Sequence, residues 1–489
     1  MKNQPQSPKQ ISLLDRYIGA LVGLAVGDSL GTPVQFKDRG TFEPVTSMRG
    51  GGFFETNPGE WSDDTSMALC LAESLIECNG FDAKDQMERY VRWYRDGYLS
   101  SKEHSFDIGI NTQVSLSLFI KTGDPFSGKH DPEGAGNGSL MRLAPIALAF
   151  AQFPEQAIAY ASEQSYTTHG SVEASDACRY FTALLIGALR GKNKEEIFSS
   201  KGSPIKRKTL CKSIAKIASG TFKSKFRSEI IGSGYVVHSL EAALWAFQTS
   251  SSFEECVLKA VNLGDDADTT AAIAGQIAGA YYGASAIPEA WRKQIAHGEM
   301  IEHKATTLFT KFQRPFPRSY WVKNGSLLAG YFPGDPNPDT MKQKLTALLD
   351  CGVSSIINLM EEDARDWENN PFVPYQETFF KLASKRNVEV SHLRFPIVDQ
   401  SVTNTETMVM ILDAIDRAHQ NGQCVYLHCW GGKGRTGTVV GCWLVRHGMD
   451  PEAALKHIVE LRHAAPDEKA DLPSPENGQQ EDFVRNWIG

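Results

Sequence analysis

Two clusters of acidic residues have the composition of a metal site. They are Trp61-Ser-Asp-Asp-Thr-Ser66 and Gly264-Asp-Asp-Ala-Asp-Thr-Thr270, and an apolar, helix-like segment follows each. Taken singly, either cluster could serve only to cap a helix N-terminus. Together they offer five Asp side chains and neighbouring hydroxyls, a set of oxygen ligands that suits Mg²⁺ or Mn²⁺. A bound cation would relieve the repulsion between the carboxylates and could position a water molecule for attack.

A second set of residues, near the C-terminus, is suited to phosphoryl transfer. The strand-like segment Cys424-Val-Tyr-Leu-His428 leads into Cys429-Trp-Gly-Gly-Lys-Gly-Arg435, and a helix-like segment follows. A tight Gly-rich loop before a helix points N–H groups inward, which creates an anion cradle and favours the reactive thiolate of Cys429. Arg435 could hold phosphate oxygens in two places, and Thr436 could hydrogen-bond the thiolate as it leaves the phosphoenzyme. These parts fit phosphomonoester hydrolysis through a phosphocysteine.

The leaving group of such a reaction needs a proton donor. Asp399, in the loop Pro396-Ile-Val-Asp399 upstream of the cysteine, is the candidate. An Asp on a surface loop with no catalytic role is the alternative interpretation.

Glycines predict the helices that bring the acidic clusters together. Gly19, Gly23 and Gly27 recur every four residues, and so do glycines 275, 279 and 283, so each set is predicted to lie on one helical face. Glycine is unfavourable inside a helix, so three in register indicate close approach of another helix backbone. Antiparallel packing of the two helices would place Asp28 near the second cluster. A transmembrane interpretation of this spacing fails because the segments are short and carry polar residues.

A further Gly-rich segment could bind a diphosphate. Gly134-Ala-Gly-Asn-Gly-Ser-Leu-Met-Arg142 precedes an apolar helix and could offer backbone N–H groups to phosphate oxygens. Simple turn formation is the alternative for this segment.

The spacing of apolar residues along the sequence changes near residue 315. The residues before it have apolar residues at helical spacing, as in 82–94 and 239–247, and predict an all-α domain. Those after it alternate short apolar runs with helices, which predicts an α/β domain with a largely parallel sheet. Its strands are expected at 354–359, 389–395 and 424–428, with a helix at 407–419. The predicted organisation is a flexible N-terminus (1–11), a helical domain (12–312), a linker (313–320) and an α/β domain (321–489).

Composition narrows the class of protein. The 489 residues suggest two to four domains, and 50 Lys and Arg against 58 Asp and Glu give a net charge of −8. This balance argues against bulk binding of nucleic acid. The polar start of the chain and the lack of a long apolar run predict a cytoplasmic protein that does not associate with membranes. The nine cysteines are scattered without a Cys-x2-Cys pair, which argues against disulfides and zinc.

The motifs of the helical half resemble a known family. They are Gly19 to Gly31, Trp61-Ser-Asp-Asp-Thr65, Gly136-Asn-Gly-Ser-Leu-Met-Arg142, Thr168-His-Gly170 and Gly264-Asp-Asp-Ala-Asp-Thr269. They are similar, over residues 12–310, to ADP-ribosylglycohydrolases of the dinitrogenase-reductase-activating type. The resemblance implies an all-α fold with a dinuclear Mg²⁺ or Mn²⁺ site that cleaves the glycosidic bond to ADP-ribose.

The resemblance also implies roles for individual residues. The metal ligands it implies are Ser62, Asp63, Asp64, Asp266, Asp268 and Thr269, with Asp265 as a neighbour. The ADP-ribose site it implies includes Asp28, Asn137, Gly138, Ser139, Met141 and His169. Without the family, His169 would be read as a packed or surface residue. Many members have Glu where this chain has Gln35; since Gln cannot act as a general base, either metal-activated water suffices or the range of linkages is shifted.

The His-Cys-x5-Arg-Thr pattern, with its strand-loop-helix setting, resembles protein tyrosine phosphatases over residues 321–489, especially the dual-specificity branch. The resemblance implies Cys429 as nucleophile, Arg435 as phosphate clamp and Asp399 as general acid, with no metal. The residues it implies as tuning the thiolate or contacting the phosphate are His428, Thr436, Gly431, Gly432, Lys433 and Gly434. Lys433 is similar to loop lysines of phosphatases acting on phosphoinositides; a solvent-facing charge is the alternative.

The sequence therefore predicts a bifunctional hydrolase. Its expected substrates are an ADP-ribosylated protein or an ADP-ribose-containing small molecule, and a phosphorylated protein or metabolite. One alternative is an ADP-ribose-binding module without turnover that targets an active phosphatase, which Gln35 would favour. Another is a single-function enzyme whose phosphatase loop only senses phosphate.

Overall fold

The computed structural model of the chain describes residues 11–312, 314–323, 326–463 and 472–488. It contains two compact units, Met1–Phe309 and Thr310–Gly489. The predicted flexible N-terminus lies outside the described residues except for Ile11, and so does residue 313 of the predicted linker.

The first unit is built from helices, which confirms the all-α prediction. Predicted helices 82–94 and 239–247 correspond to the longer observed helices α3 and α11. The helices are α1 (Leu13–Gly31), α2 (Asp63–Cys78), α3 (Ala83–Asp96), α4 (Ile110–Thr122), α5 (Gly138–Met141), α6 (Ala144–Ala149), α7 (Pro154–Tyr166), α8 (Val172–Leu189), α9 (Lys194–Ile197), α10 (Lys212–Ala218), α11 (Val236–Thr249), α12 (Phe253–Val261), α13 (Ala267–Tyr282), α14 (Glu289–Gln294) and α15 (Gly298–Phe312).

Helices α1 and α13 pack against each other in opposite directions, as the glycine spacing predicts. Gly19 faces Gly279, Gly23 faces Gly275, and Gly27 faces Ala271. A Cβ atom on any of the three α1 glycines would lie less than 3.0 Å from the α13 backbone, so the helices approach as closely as glycine permits. One part of the prediction is wrong: Gly283 does not extend the glycine face, because it follows the end of α13 with a φ of 81°.

Helix α1 is also the segment whose length and composition would suit a membrane span. Among the described residues, Leu13–Val34 is the helical stretch that is long and apolar enough, and 94% of its apolar 18-residue segment is buried within the fold. Burial of this kind is typical of the core helix of a globular domain.

The second unit is an α/β domain, and its mostly parallel sheet confirms the predicted class. Its helices are α16 (Pro338–Asp350), α17 (Gln376–Ser384), α18 (Thr405–Gln420), α19 (Gly434–Arg446), α20 (Pro451–His463) and α21 (Gly478–Arg485). Its strands are β1 (Tyr320–Lys323), β2 (Leu327–Gly330), β3 (Val353–Asn358), β4 (Ser391–Arg394) and β5 (Cys424–His428).

The sheet places β5 at its centre. The strand order is β1-β2-β5-β3-β4; β1 pairs with β2 in the antiparallel sense, and the other pairs are parallel. Apolar residues cover both faces, for example Ile411 and Val440 on one and Leu345 and Phe379 on the other. The carboxyl end of β5 therefore lies beside the carboxyl ends of the other parallel strands, where α/β proteins commonly bind ligands.

Candidate active sites

Three buried carboxylates meet where α1, α2 and α13 converge. Asp28 lies near the end of α1, Asp64 in the first turn of α2 and Asp268 in the first turn of α13. Each offers a carboxylate oxygen, and these oxygens all lie within 4.8 Å of one another. The glycine contacts between α1 and α13 bring Asp28 and Asp268 together from distant parts of the sequence.

Asp28 is held rigidly by the start of α2. The backbone N–H of Ser62 donates to its Oδ1 at 2.9 Å, and the N–H and hydroxyl of Thr65 donate to its Oδ2 at 3.0 and 2.6 Å. Asp28 therefore satisfies N–H groups at the N-terminus of the neighbouring helix, where an anion is favoured. The structure thus places Asp28 in the carboxylate cluster.

Two oxygens of the cluster have no hydrogen-bond partner within the described part of the chain. They are Oδ1 of Asp64 and Oδ2 of Asp268, and both are buried. Burial and mutual repulsion hold the pKa of Asp63, Asp64 and Asp268 well above the usual range for Asp. Unsatisfied buried carboxylate oxygens that repel one another fit a hard divalent cation, which would supply both the missing partner and the opposing charge.

The hydroxyl residues of the two clusters contact Asp64. Ser62 Oγ donates to Asp64 Oδ2 at 3.1 Å, and Thr269 Oγ1 lies 3.4 Å from the same oxygen. Asp266 lies beside them and accepts a 2.6 Å hydrogen bond from Asn137 Nδ2. Of the six residues predicted as ligands, Asp64 and Asp268 belong to the group of close carboxylates, and the third member is Asp28. Asp63 and Asp266 interact electrostatically with this group, and Asp265 is exposed.

Asp107 belongs to this site but was not predicted from the sequence. Burial raises its pKa to about 7, against the opposing effect of its polar neighbours Gln35 and Asp268. Its Oδ2 is another buried oxygen for which the described residues provide no partner. Gln35 thus lies beside a carboxyl group that the loop between α3 and α4 provides. No motif surrounds Asp107 in the sequence, so only the fold reveals it.

The predicted ADP-ribose residues separate into two groups. Asn137 and Gly138 lie at the start of α5, within reach of Asp266. Ser139 and Met141 point into the domain core: Ser139 Oγ accepts from Ser165 at 2.8 Å, and Met141 packs in an apolar cluster with Met67. Core positions do not present these two side chains to a ligand, so a contact with ADP-ribose would have to come from their backbone.

His169 is a buried residue that supports the Gly-rich segment. Its Nδ1 lies 2.8 Å from Thr168 Oγ1, and burial lowers its pKa to about 3. Its ring lies so close to Gly136 and Gly138 that a Cβ on Gly138 would be 2.7 Å from it. The neutral imidazole therefore helps to shape the segment, and direct contact with ADP-ribose stays a prediction.

The second site lies at the carboxyl end of β5. Gly432 N–H points at Cys429 Sγ from 3.3 Å, and the sulfur lies at the N-terminal side of α19. Arg435 pairs with Asp399 Oδ1 at 2.8 Å and donates to the Ile397 carbonyl at 3.0 Å. Arg435 Nε and Thr436 Oγ1 are buried and lack a partner among the described atoms. The structure thus brings nucleophile, clamp, acid and hydroxyl to one place.

His428, the last residue of β5, contacts the start of the phosphate loop. Its Nδ1 lies 3.0 Å from the Cys429 carbonyl oxygen, and its Nε2 lies 2.6 Å from Tyr375 Oη. Burial lowers the pKa of His428 to about 3, so the ring is neutral at physiological pH. An Nδ1–H that donates to the carbonyl leaves Nε2 to accept from Tyr375, a pairing that the sequence did not indicate.

Comparisons with known proteins identify the families of both domains. A family model described as ADP-ribosylglycohydrolase matches residues 9–318. The chain belongs to the ADP-ribosylglycohydrolase family. A second model, described as Swiss Army Knife protein, DSP-PTPase phosphatase domain, matches residues 318–483. The chain is therefore a fusion of two hydrolase domains.

Relatives cover the ADP-ribosylglycohydrolase domain. An ADP-ribosylarginine hydrolase Tri1 of Serratia proteamaculans is 42% identical over 296 residues, which are 60% of this chain and 79% of that protein. An ADP-ribosyl-[dinitrogen reductase] glycohydrolase of Rhodospirillum rubrum is 29% identical over 288 residues, 58% of this chain and 91% of that protein. A solved structure described as ADP-ribosylglycohydrolase-related protein complex has 44% identity and a TM-score of 0.55, covering 61% of this chain and 98% of that one.

In the present chain, the site of the phosphatase domain opens into a cavity of about 1170 Å³. Aromatic side chains form much of its wall, with Trp430 lying 4.9 Å from Trp367 and 5.6 Å from Phe372 between ring centroids. Lys433 lines the same cavity but pairs with Glu476 at 2.5 Å, so its charge does not simply face solvent. Glu476 was not recognised in the sequence, because it follows Lys433 by a long stretch of chain with no motif.

Proposed function

We propose that the first domain hydrolyses the bond between ADP-ribose and an arginine side chain of a protein, and that it requires a divalent cation. The observation that carries this proposal is the buried group of Asp28, Asp64 and Asp268 with two unsatisfied oxygens. The names of two relatives, both ADP-ribosylarginine hydrolases, support the choice of linkage.

The residues of the site have separable tasks in this reaction. Asp28, Asp64 and Asp268 would hold the cation, with Asp63, Asp266, Ser62 and Thr269 as further ligands beside them. When bound, Mg²⁺ or Mn²⁺ supplies charge stabilisation and an activated water. Asn137 orients Asp266 by its hydrogen bond. Asp107, whose pKa burial raises to about 7, can hold or release a proton at Oδ2 beside the cluster.

Release of ADP-ribose from an arginine-ADP-ribosylated protein tests the proposal. We expect release in Mg²⁺, loss with a chelator, and a decrease of at least about 100-fold in Asp268→Asn, because a ligand and a charge are removed. Asp265→Asn is the matched control, since this carboxylate is exposed next to the cluster. ADP-ribose binding without release would instead favour the binding-module alternative.

We also propose that the second domain hydrolyses phosphomonoesters through a phosphocysteine. The Cys429 thiolate attacks phosphorus and the bond from phosphorus to the ester oxygen breaks. Asp399 gives its proton to the leaving oxygen. Water then gives a proton to the Asp399 carboxylate and attacks phosphorus, and the sulfur–phosphorus bond breaks. Phosphate is released and the thiolate is regenerated, which the Gly432 N–H stabilises. The Gly432 N–H directed at Cys429 Sγ, in a cavity that Arg435 and Asp399 also line, carries this proposal.

Turnover of an aryl phosphate in the presence of a chelator tests this second reaction. Cys429→Ser is expected to abolish turnover, whereas Cys442→Ser, which changes a buried thiol of α19 outside the loop, is the matched control. Mass spectrometry of Asp399→Asn after rapid quenching should detect phosphate on Cys429. Turnover that survives in Cys429→Ser would refute the mechanism.

A further inference from the structure

Two lysines of the phosphatase cavity are paired with carboxylates on its own wall. Lys344 Nζ lies 2.9 Å from Asp335, and Lys433 Nζ lies 2.5 Å from Glu476 Oε1. The Lys433–Glu476 pair is half-buried, with side chains 27% and 24% exposed. Because Lys433 and Glu476 both line the cavity that contains Cys429, the positive charge of Lys433 next to the phosphate loop is matched by a carboxylate.

Glu476 is fixed in this position by its own segment, Ser474–Gln480. The Glu476 N–H donates to Gln480 Oε1 at 2.9 Å, and Gln480 Nε2 donates to the Ser401 carbonyl at 3.1 Å. At the other end, Ser474 Oγ donates to the Lys433 carbonyl at 2.8 Å. Gln480 is fully buried. The segment is therefore attached to the phosphate loop and to the residues that follow Asp399.

The segment also packs directly on the loop backbone. A Cβ on Gly434 would lie 2.9 Å from Glu476 Oε2, so the carboxylate is pressed against the phosphate loop itself. Lys433 reaches it by folding across Gly431, whose Cβ would lie 3.6 Å from Lys433 Cγ. The hydrogen bonds thus fix the backbone that carries Glu476, and the ion pair with Lys433 holds its carboxylate at the loop.

We propose that Glu476 is a specificity-determining residue, which neutralises Lys433 and selects against phosphomonoesters that carry a further phosphate beside the reacting one. This inference rests on the proposed phosphatase function. A single phosphate group would be bound by Arg435 and by the N–H groups of the phosphate loop. A neighbouring phosphate would meet a lysine whose charge is already matched and a fixed carboxylate that repels it.

Two probes and one conservative substitution test the role of Glu476. One probe is phenyl phosphate, which carries a single phosphate. The other is inositol 1,4,5-trisphosphate, in which two of the three phosphates are neighbours. In Glu476→Gln we expect the ratio of kcat/KM for the trisphosphate to that for phenyl phosphate to rise about ten-fold, because Lys433 becomes free to attract the second phosphate. In Glu377→Gln, an exposed acid that pairs with Lys381 on α17, the ratio should stay as in the wild type.

A binding measurement separates this inference from the proposed reaction. Calorimetric titration of both probes into Cys429→Ser, with and without Glu476→Gln, reports the same discrimination without turnover. A trisphosphate affinity that rises relative to phenyl phosphate in the double variant supports the role of Glu476, even if the catalytic proposal fails. An unchanged ratio of affinities, or of kcat/KM values, overturns it. The gain should also be lost in a Lys433→Gln background, because the two residues act as a pair.

Discussion

At the residue scale, the carboxylates of the metal cluster couple the stability of the first domain to pH. Burial raises the pKa of Asp107 from 3.8 to about 7, and those of Asp63, Asp64 and Asp268 move in the same direction. The folded state therefore binds more protons than the unfolded state between about pH 4 and 7. The contribution of Asp107 is fully present below about pH 4 and is lost as the pH rises through 7, and the contributions of the other three carboxyl groups are also lost as the pH rises.

A divalent cation can replace the lost protons, and this predicts how its effect varies with pH. We expect Mg²⁺ to raise the Tm of the first domain more at pH 8 than at pH 5, since protons no longer compete at high pH. Calorimetry of the full chain, with Mg²⁺ or chelator at constant ionic strength, measures the difference. Asp107→Asn should flatten the pH dependence in chelator. An equal Mg²⁺ shift at both pH values would contradict the prediction.

The sequence predicted those site residues that stand in motifs and missed those that only the fold supplies. The clusters around Asp64 and Asp268 were recognisable because several oxygen ligands stand side by side. Asp107 is a single acid in a loop, and Glu476 reaches Lys433 only because its segment folds back onto the phosphate loop. Periodicity and spacing report local geometry, so an isolated residue brought in by tertiary packing leaves no signal in them.

At the element scale, the contact between α1 and α13 controls the geometry of the metal cluster. A Cβ at position 23 would lie less than 3.0 Å from the Gly275 carbonyl oxygen and from the ring of Phe253. We expect Gly23→Ala to destabilise the first domain by about 1–3 kcal/mol, because the helices must separate. Separation also moves Asp28 away from Asp268, so the apparent affinity for Mg²⁺ should decrease. Thermal unfolding and Mg²⁺ titration measure the two effects.

The control for this substitution is Gly80→Ala. A Cβ at position 80 has no atom within 4 Å among those described, so the same chemical change should leave both quantities near their wild-type values. A Gly23→Ala protein with unchanged Tm would show that the contact can relax without loss.

Elements were predictable where their sequence pattern is long enough to be distinctive. Strands β3, β4 and β5 and helix α18 were expected within a few residues of their observed bounds. Strands β1 and β2 were not expected, and β2, Leu-Leu-Ala-Gly, is buried throughout and shows no alternation. Their place in the sheet is set by pairing with each other and with β5, a tertiary effect.

At the scale of the whole molecule, each catalytic site is composed of residues from one compact unit. The carboxylate cluster uses residues between Asp28 and Asp268, and the phosphatase site uses residues between Asp399 and Glu476. The units divide at Phe309 and Thr310, within α15, while the change in sequence texture had suggested a boundary near residue 315.

Because the two sites share no residues, inactivation of one should leave the activity of the other unchanged. We expect Cys429→Ser to abolish aryl phosphate turnover and to change ADP-ribose release by less than two-fold, and Asp268→Asn to do the reverse, because substitutions without shared partners are additive. The double variant should combine the two losses without further change. Both activities are measured on the full chain under one condition, with Mg²⁺ present. A several-fold loss of ADP-ribose release in Cys429→Ser would mean instead that the phosphatase domain acts on the ADP-ribosylglycohydrolase domain.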